Sequence, residues 1–311
     1  MMNIATLTLN PTLDVSFSVD EVFHTRKMRG RDERHAPGGG GINVARVFVR
    51  LGGNARCHYL SGGSTGVALD GLLDLHQLVR RKVPIRGETR VSTTVFEAAS
   101  RCEYRFVTDG PEVSADEWQQ CLTELAEADC DYIVTSGSLP RGVPDDFYAR
   151  VARQARARGV RVVLDSSGAG LAGGLAGGNV FLVKPSIGEL RGLTGRELAS
   201  DEEIAESAQA IVSRGEAEHV AVTMGRDGAL LANAAGTLRL PAIEADVASA
   251  VGAGDSFVAA MVHALASGRD PEDAFRYGIA GGTAAILTPG TDLARPADIA
   301  RLYEQAQALA R

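Results

Sequence analysis

The feature that most limits the folds open to this chain is a repeated order: a short β-branched run, a cluster of glycines, then an amphipathic stretch. The runs are "IATLTL", "CHYL", "DYIVT", "VRVVLD", "NVFLVK" and "EHVAVT". They are short and do not alternate, as strands covered on both faces should be. Nearly every run meets a glycine cluster, among them "PGGGGIN", "LSGGSTG", "SGSLPRG", "SSGAGLAGGLAGG", "TMGRDG" and "VGAGD". Helical spacing follows. Val44, Val47, Phe48 and Leu51 share one face over residues 44–51, and Gly52-Gly53 stops that helix. Residues 144–158 and 202–214 read the same way. Strand, glycine turn and helix in repetition specify an α/β fold, a mostly parallel sheet with helices on both faces. In such folds ligands sit at the carboxyl ends of the strands, so the glycine turns are expected to line the site.

Two segments break the rhythm. Residues 89–110, "TRVSTTVFEAASRCEYRFVTDG", read as a hairpin of alternating strands with no helix beside it. Residues 13–34 are also extended and mixed in polarity. Together they are expected to form a small accessory sheet over one end of the body. No proline-rich linker or repeat divides the 311 residues, so residues 1–311 are expected to form one domain with an appendage.

Composition narrows the partners. A net charge of -7 gives no sign of a polyanion-binding surface and argues against nucleic acid as a partner. An anionic substrate would have to be held by a few well-placed cations. Cys57, Cys102, Cys121 and Cys130 form no C-x-x-C pair and have no zinc-like spacing with the histidines, which suits reduced thiols in the cytoplasm. The start "MMNIATLTLNPTLD" lacks the basic region of a signal peptide, and no apolar run is long enough to cross a bilayer. A cytoplasmic protein with no membrane partner is expected.

The chemistry is concentrated where glycine meets a carboxylate. Gly252-Ala253-Gly254 opens an apolar helix and Asp255 follows at once. Glycines there let several amide N–H groups point at one spot, and the helix dipole adds to their pull on an anion. A simple acidic N-cap is the plainer alternative. Beside an anion hole, however, a carboxylate suits phosphoryl transfer: it takes the proton of an attacking hydroxyl while the amides steady the moving phosphoryl group. The usual phosphate loop G-x-x-x-x-G-K-[ST] is absent. "GAGLAG" at 168–173 fits a dinucleotide fingerprint, with Glu189 about twenty residues on. The following "GLAGGN" promises a poor helix, which weakens an NAD-dependent dehydrogenase reading. "PGGGGINVAR" at 37–46 is the second strong cluster, where four glycines allow close approach to a ligand and Asn43 offers both donor and acceptor. Asp14, after the first strand, can accept from sugar hydroxyls, or can be a plain turn aspartate.

"PGGGGINVAR" paired with "SAVGAGDSFVAA" resembles the ribokinase-like, PfkB-type carbohydrate kinase family. Further matches follow in order: "TLTLNPTLD", "SGSLPRG", "VVLDSSG", "LVKPSIGEL" and "VTMGRDGAL". Within the family the pattern is similar to the phosphosugar branch, above all the minor-type bacterial 6-phosphofructokinases. The resemblance implies a ribokinase-like three-layer fold with a β-sheet lid drawn from about 13–34 and 89–108, often pairing into a homodimer. It implies Asp255 as the general base, with an anion hole around Gly252, Ala253 and Gly254. Asp14, Gly39, Gly40, Asn43 and Ser138 would hold the sugar. Lys184, Thr223, Gly225, Gly228 and Gly254 would touch ATP, and residues 280–291 would wall the adenine. Carbonyls there and before Val251 would hold a monovalent cation, K+. The family's Asn-x-x-Glu, which organises the Mg2+ water shell, is here Ser186-Ile187-Gly188-Glu189, so Ser186 is the departure from the pattern.

Lys27, Arg90 and Arg105 lie in the stretches expected to arch over the sugar. A guanidinium makes two charge-assisted bonds to a phosphate, although a lone surface arginine is usually just solvated. Three cations in an acidic protein favour a phosphorylated ketohexose. The expected reaction is the glycolytic transfer from MgATP to the C1 hydroxyl of fructose 6-phosphate. Tagatose 6-phosphate and fructose 1-phosphate are the alternatives, and a non-catalytic sugar-binding protein a remoter one.

Overall fold

In the computed structural model, which describes residues 2–308, all six β-branched runs become strands of one sheet. The chain begins with β1 (Asn3–Thr8), leaves for β2 (Thr12–Val19) and β3 (Arg31–Gly38), and returns through α1 (Gly40–Arg50) to β4 (Asn54–Ser61). Next come α2 (Gly63–Leu75), β5 (Val79–Pro84), β6 (Arg90–Glu97) and β7 (Glu103–Val107). The second half alternates strictly at first: α3 (Ala115–Ala126), β8 (Tyr132–Ser136), α4 (Phe147–Arg156), β9 (Arg161–Asp165), α5 (Gly168–Ala176), β10 (Val180–Val183). It continues with α6 (Ile187–Thr194), α7 (Asp201–Ser213), β11 (Ala217–Thr223) and the returning strands β12 (Ala229–Asn233) and β13 (Gly236–Leu240). Three helices close it: α8 (Ala253–Ala266), α9 (Pro271–Ile286) and α10 (Pro296–Ala308).

The nine-stranded sheet has the order β13-β12-β11-β10-β9-β8-β1-β4-β5. It is parallel from β11 to β5, and antiparallel where β12 and β13 fold back. Its interior strands are buried almost throughout, which is why their sequences do not alternate. One face is covered by a core that includes α1, α8, α9 and α10, the other by one that includes α3, α4, α5 and α7. From β1 the chain moves to β4 and β5 on one side, then crosses back to β8 and proceeds through β9, β10 and β11 on the other. The neighbours β1 and β8 are therefore the switch point, where α/β sheets open a crevice beyond their carboxyl ends.

A second sheet, β3-β2-β6-β7, stands over that end. Its strands come from the two segments that broke the rhythm, with β2 and β6 parallel and the outer pairs antiparallel. The alternation seen in the sequence has a precise consequence for its faces. Asp14, Ser16, Ser92, Thr94 and Arg105 fall on one side, while Leu13, Val15, Phe17, Val91, Val95, Tyr104 and Phe106 fall on the other.

One expectation from the sequence needs correcting. The glycine-rich stretch after "RVVLD" does make a helix, α5, which runs through Ala176 before Gly177 caps it. The glycines there serve close packing. A Cβ on Gly173 would strike the carbonyl of Asp145, and one on Gly174 would sit 2.8 Å from Leu164. Tight helix–strand and helix–loop contact offsets the poor intrinsic propensity of glycine. No helix among the described residues is long and apolar enough to cross a membrane.

Candidate active site

A cleft of about 290 Å³ opens between the two sheets, at the carboxyl ends of the central strands. It is lined by Asp14, Gly39, Gly40, Asn43, Arg90, Arg105, Ser138, Glu189, Gly252 and Asp255, all singled out from the sequence. A larger groove, about 1140 Å³, lies near the amino ends of β9, β10 and β11 and contains none of them. Size alone would have chosen the wrong place. The switch-point geometry and the convergence of polar groups favour the smaller cleft.

Its centre is Asp255, in the first turn of α8. Gly252 precedes the helix with φ of +72°, a left-handed conformation that any side chain would strain, and a Cβ there would run into Leu293. That turn brings the carboxylate to the helix mouth, where Asn43 Nδ2 donates to Asp255 Oδ2 at 2.9 Å. The other glycine loop lies against the same group. A Cβ on Gly40 would collide with Ser136 Oγ and stand 3.0 Å from Asp255 Oδ1. Two motifs more than two hundred residues apart thus meet at one carboxylate.

Beneath the cleft lies a buried ion pair, Lys184 Nζ to Asp165 Oδ1 at 3.0 Å, and Ser136 Oγ donates to Asp165 Oδ2 at 3.3 Å. Lys184 Nζ is 3.5 Å from where a Cβ of Gly254 would stand, so the cation lies under the opening turn of α8. Burial pushes the Asp255 carboxyl up to about 7, with the negative charge of Asp165 adding to it and Asn43 and Lys184 opposing. Asp165 is also raised by burial, against the pull of Lys184. Burial alone would lower Lys184, but Asp165 and Glu189 outweigh it and hold the ammonium charged.

The lid supplies the opposite wall. Burial raises Asp14 to about 6, opposed by its hydrogen bond with Thr12 and by the charges of Arg105, Arg90 and Arg46. Arg90 donates to the carbonyls of Asn10 and Thr108 at 2.8 and 2.9 Å, which pins its guanidinium at the rim. Arg105 reaches the cleft from β7, level with Thr94 in the neighbouring strand.

Several expected residues stand elsewhere. Lys27 is exposed in the segment between β2 and β3 and does not line the cleft. That segment is tied down by Glu97, which accepts from the amide of Val22 at 2.5 Å, and by the Asp20–Arg31 pair. Lys184 is buried and bound to Asp165, under the helix mouth and not along an open nucleotide groove. Ser186 lies outside the cleft lining because its hydroxyl caps α6: Oγ accepts from the amide of Glu189 at 3.2 Å, and Glu189 Oε2 accepts from the amide of Ser186 at 2.7 Å. Thr223, Gly225 and Gly228 gather at the end of β11, apart from the cleft. Gly228 has a packing reason of its own, since a Cβ would strike the Leu240 carbonyl. Ala253 and Gly254 form the first turn of α8 beside the cleft without lining it.

Sequence reasoning missed Asp165 and Ser136. The signal was available in part, because Asp165 is a carboxylate at the carboxyl end of a buried strand. What could not be read was that Lys184, just past the end of the next strand, would neutralise it.

Among the described residues no three His, Cys, Asp or Glu side chains converge as a metal cage. Mg2+ does not require one. It keeps most of its waters and is held through one or two carboxylates together with substrate phosphates. Asp165 and Glu189 are hard oxygen donors facing the cleft and fit that use.

A buried carboxylate at a glycine-entered helix mouth, set at the switch point of a doubly covered sheet and roofed by a cationic lid, suits the α/β phosphotransferases. More narrowly, the chain belongs to the pfkB family carbohydrate kinases, whose model matches residues 9–298. It is 44% identical over 305 residues to the ATP-dependent 6-phosphofructokinase isozyme 2 of Mycobacterium tuberculosis, covering 97% of this chain and 89% of that one. The structure of phosphofructokinase-2 from Escherichia coli in complex with potassium superposes with a TM-score of 0.94 at 36% identity, over 99% of this chain and 100% of that one. The same enzyme in complex with fructose-6-phosphate gives a TM-score of 0.92 at 36% identity, with both chains fully covered. The fold and the kinase class expected from the motifs are therefore those the protein has.

Proposed function

We propose that this chain is an ATP-dependent 6-phosphofructokinase that passes the γ-phosphoryl group of MgATP to the C1 hydroxyl of fructose 6-phosphate. The observation that carries the reading is the pairing, across one cleft, of Asp255 at the α8 mouth with Arg90 and Arg105 on the lid. The arginines hold the 6-phosphate at one end. Asp14 and Asn43 accept from or donate to the sugar hydroxyls, with Gly39, Gly40 and Ser138 alongside, and leave C1 facing Asp255. Asp255 takes the C1 proton, the freed oxygen bonds to the γ-phosphorus, and the bond from that phosphorus to the β–γ bridging oxygen breaks, releasing ADP.

The amides at the start of α8 and the ammonium of Lys184 stabilise the charge spread over the phosphoryl oxygens. Mg2+, when bound with ATP, neutralises charge on the β and γ phosphates, and Glu189 and Asp165 are the residues placed to hold its water shell. Ser186 serves that role only indirectly, by fixing Glu189. Thr223, Gly225 and Gly228 are assigned to the nucleotide, residues 280–291 to the adenine wall, and carbonyls there and near Ser249 to K+. The amides of Ala248 and Ser249 both donate to the carbonyl of Ile286, at 2.8 and 3.4 Å, which stitches those two segments together.

Residues 1–311 act as one kinase unit, and its lid pairs with that of a second copy. The support is the lid's outer face: Phe106 is 60% exposed and Tyr104 37%, on a side that also carries Val15, Phe17, Val91 and Val95.

A coupled assay offering fructose 6-phosphate, tagatose 6-phosphate, fructose 1-phosphate and fructose at equal concentration tests the reading. Fructose 6-phosphate should turn over fastest. Fastest turnover of unphosphorylated fructose would remove the role given to Arg90 and Arg105.

A further inference from the structure

Behind the base stands a residue that no motif assigned. Arg46 lies on α1 one turn beyond Asn43 and is only 6% exposed. Its Nη1 donates to Asn43 Oδ1 at 3.2 Å and to the carbonyl of Pro37 at 3.4 Å, while Nε is buried without a partner. The side-chain amide of Asn43 is thereby held from both ends. Its oxygen accepts from a cation and its nitrogen donates to the carboxylate of Asp255. Turning the amide over would set NH2 against a guanidinium and C=O against a carboxylate, so only one orientation is stable.

We propose that Arg46 is a positioning residue for the phosphoryl transfer, acting through Asn43 to fix the direction and the charge state of the base Asp255. The proposal rests on the kinase reading above. A purely structural role would be met better by an apolar side chain, because a buried guanidinium with an idle Nε costs stability that methionine would not. The surroundings explain how the charge is tolerated. Arg50 on the same helix repels Arg46, but Arg50 is itself paired with Asp292 at 3.3 Å. Asp14 on β2 and Asp255 on α8 attract it, and together with Asp292 they oppose the lowering by burial, which leaves the guanidinium at about 10 and so protonated at neutral pH. His76, at the end of α2, is held neutral by burial and by Arg46 and Arg50. Asp255 itself faces Asp165 and Asp14, which raise it, and Asn43 and Lys184, which lower it.

The test is a titration that needs no substrate. The carboxyl carbon of Asp255 is followed by 13C NMR against pH, with Asp255→Asn identifying the signal. In Arg46→Met the midpoint should rise by roughly half a pH unit or more, since a nearby cation is gone and the donor from Asn43 is loosened. With fructose 6-phosphate, kcat at pH 7 should fall about ten- to a hundredfold, more than KM rises, and part should return by pH 9. Arg46→Lys keeps the charge and should keep the midpoint, while regaining only part of kcat. A folded Arg46→Met with an unmoved midpoint would overturn the proposal. Should Arg46→Met fail to fold, the side-chain amide 1H–15N signal of Asn43 in Arg46→Lys decides: broadening supports the relay, and an unchanged signal counts against it. If the wild type phosphorylates none of the four sugars while the midpoint still shifts, the kinase substrate is wrong and the relay stands.

Discussion

The two sheets of this molecule are built to opposite specifications. The interior of the nine-stranded sheet is buried on both faces, and its strands β1, β8 and β10 expose almost nothing. The lid exposes all five residues of β7 and most of β3. Its cleft face is the polar one, carrying Asp14, Ser92, Thr94 and Arg105, and its apolar face points away from the body. An ordinary half-buried sheet does the reverse. The body is thus complete in its own chain and can hold buried charges rigidly. On the function proposed above, the lid's polar side serves the substrate and its apolar side serves a second subunit. Chemistry should therefore be sensitive in the body, and affinity and assembly in the lid.

Asp255→Asn is expected to show the largest effect. It should lower kcat by roughly two to four orders of magnitude while sparing nucleotide binding, measured by coupled assay and by calorimetry with ATP. Stability should move the other way. The unfolded chain releases this proton near 3.8 and the folded protein near 7, so the stability the proton confers is full below pH 4 and is lost as pH rises through 7. At pH 8 the variant should melt roughly 1–3 °C higher than wild type, an advantage that shrinks toward pH 5. The same titration places the acid limb of wild-type kcat/KM near 7, with activity rising as the carboxylate of the free enzyme ionises.

On the lid, Arg105→Ala should raise KM for the phosphosugar about ten- to a hundredfold, the loss of a charge-assisted pair, with kcat much less affected and the melting temperature unchanged. A larger loss in kcat than in KM would break the division between the two sheets. Phe106→Glu should weaken self-association at least about tenfold by sedimentation, because an ionised group would have to be desolvated in the interface. If it leaves the oligomeric state untouched, the outer face has another use. Ser186→Asn should be nearly silent. Asparagine caps a helix as well as serine does, so the magnesium half-saturation should move less than about threefold. A larger change would mean that this side chain reaches the metal's water shell directly.

Much of the fold was legible because the signals are local. β-branched runs between glycine clusters marked six strands, and alternation marked the lid. β5 was not legible, since "VRRKVP" is an edge strand protected by its charges. Nor were β12 and β13, a short returning hairpin in a chain that otherwise alternates. In the site, Asp255 and Asn43 announced themselves by chemistry next to glycine. Arg46 did not, because an arginine on an amphipathic helix reads as solvated until its neighbours are known. Lys27 reads as a ligand because it is a basic residue in a lid segment; within its own chain the loop that carries it is tied to Glu97 and stands off the cleft.

The sequence by itself determined the six buried strands of the body, the extended segments that build the lid, and the glycine-entered helix mouth that bears Asp255. Those follow from the period of side chains along a few residues and from the freedom of glycine in a turn. Only the tertiary structure decided that Asn43 and Asp255 touch across more than two hundred residues, that Lys184 belongs to Asp165, and that Arg46 stands behind them both. Such pairings depend on how close packing brings distant segments together, and no local pattern encodes that distance.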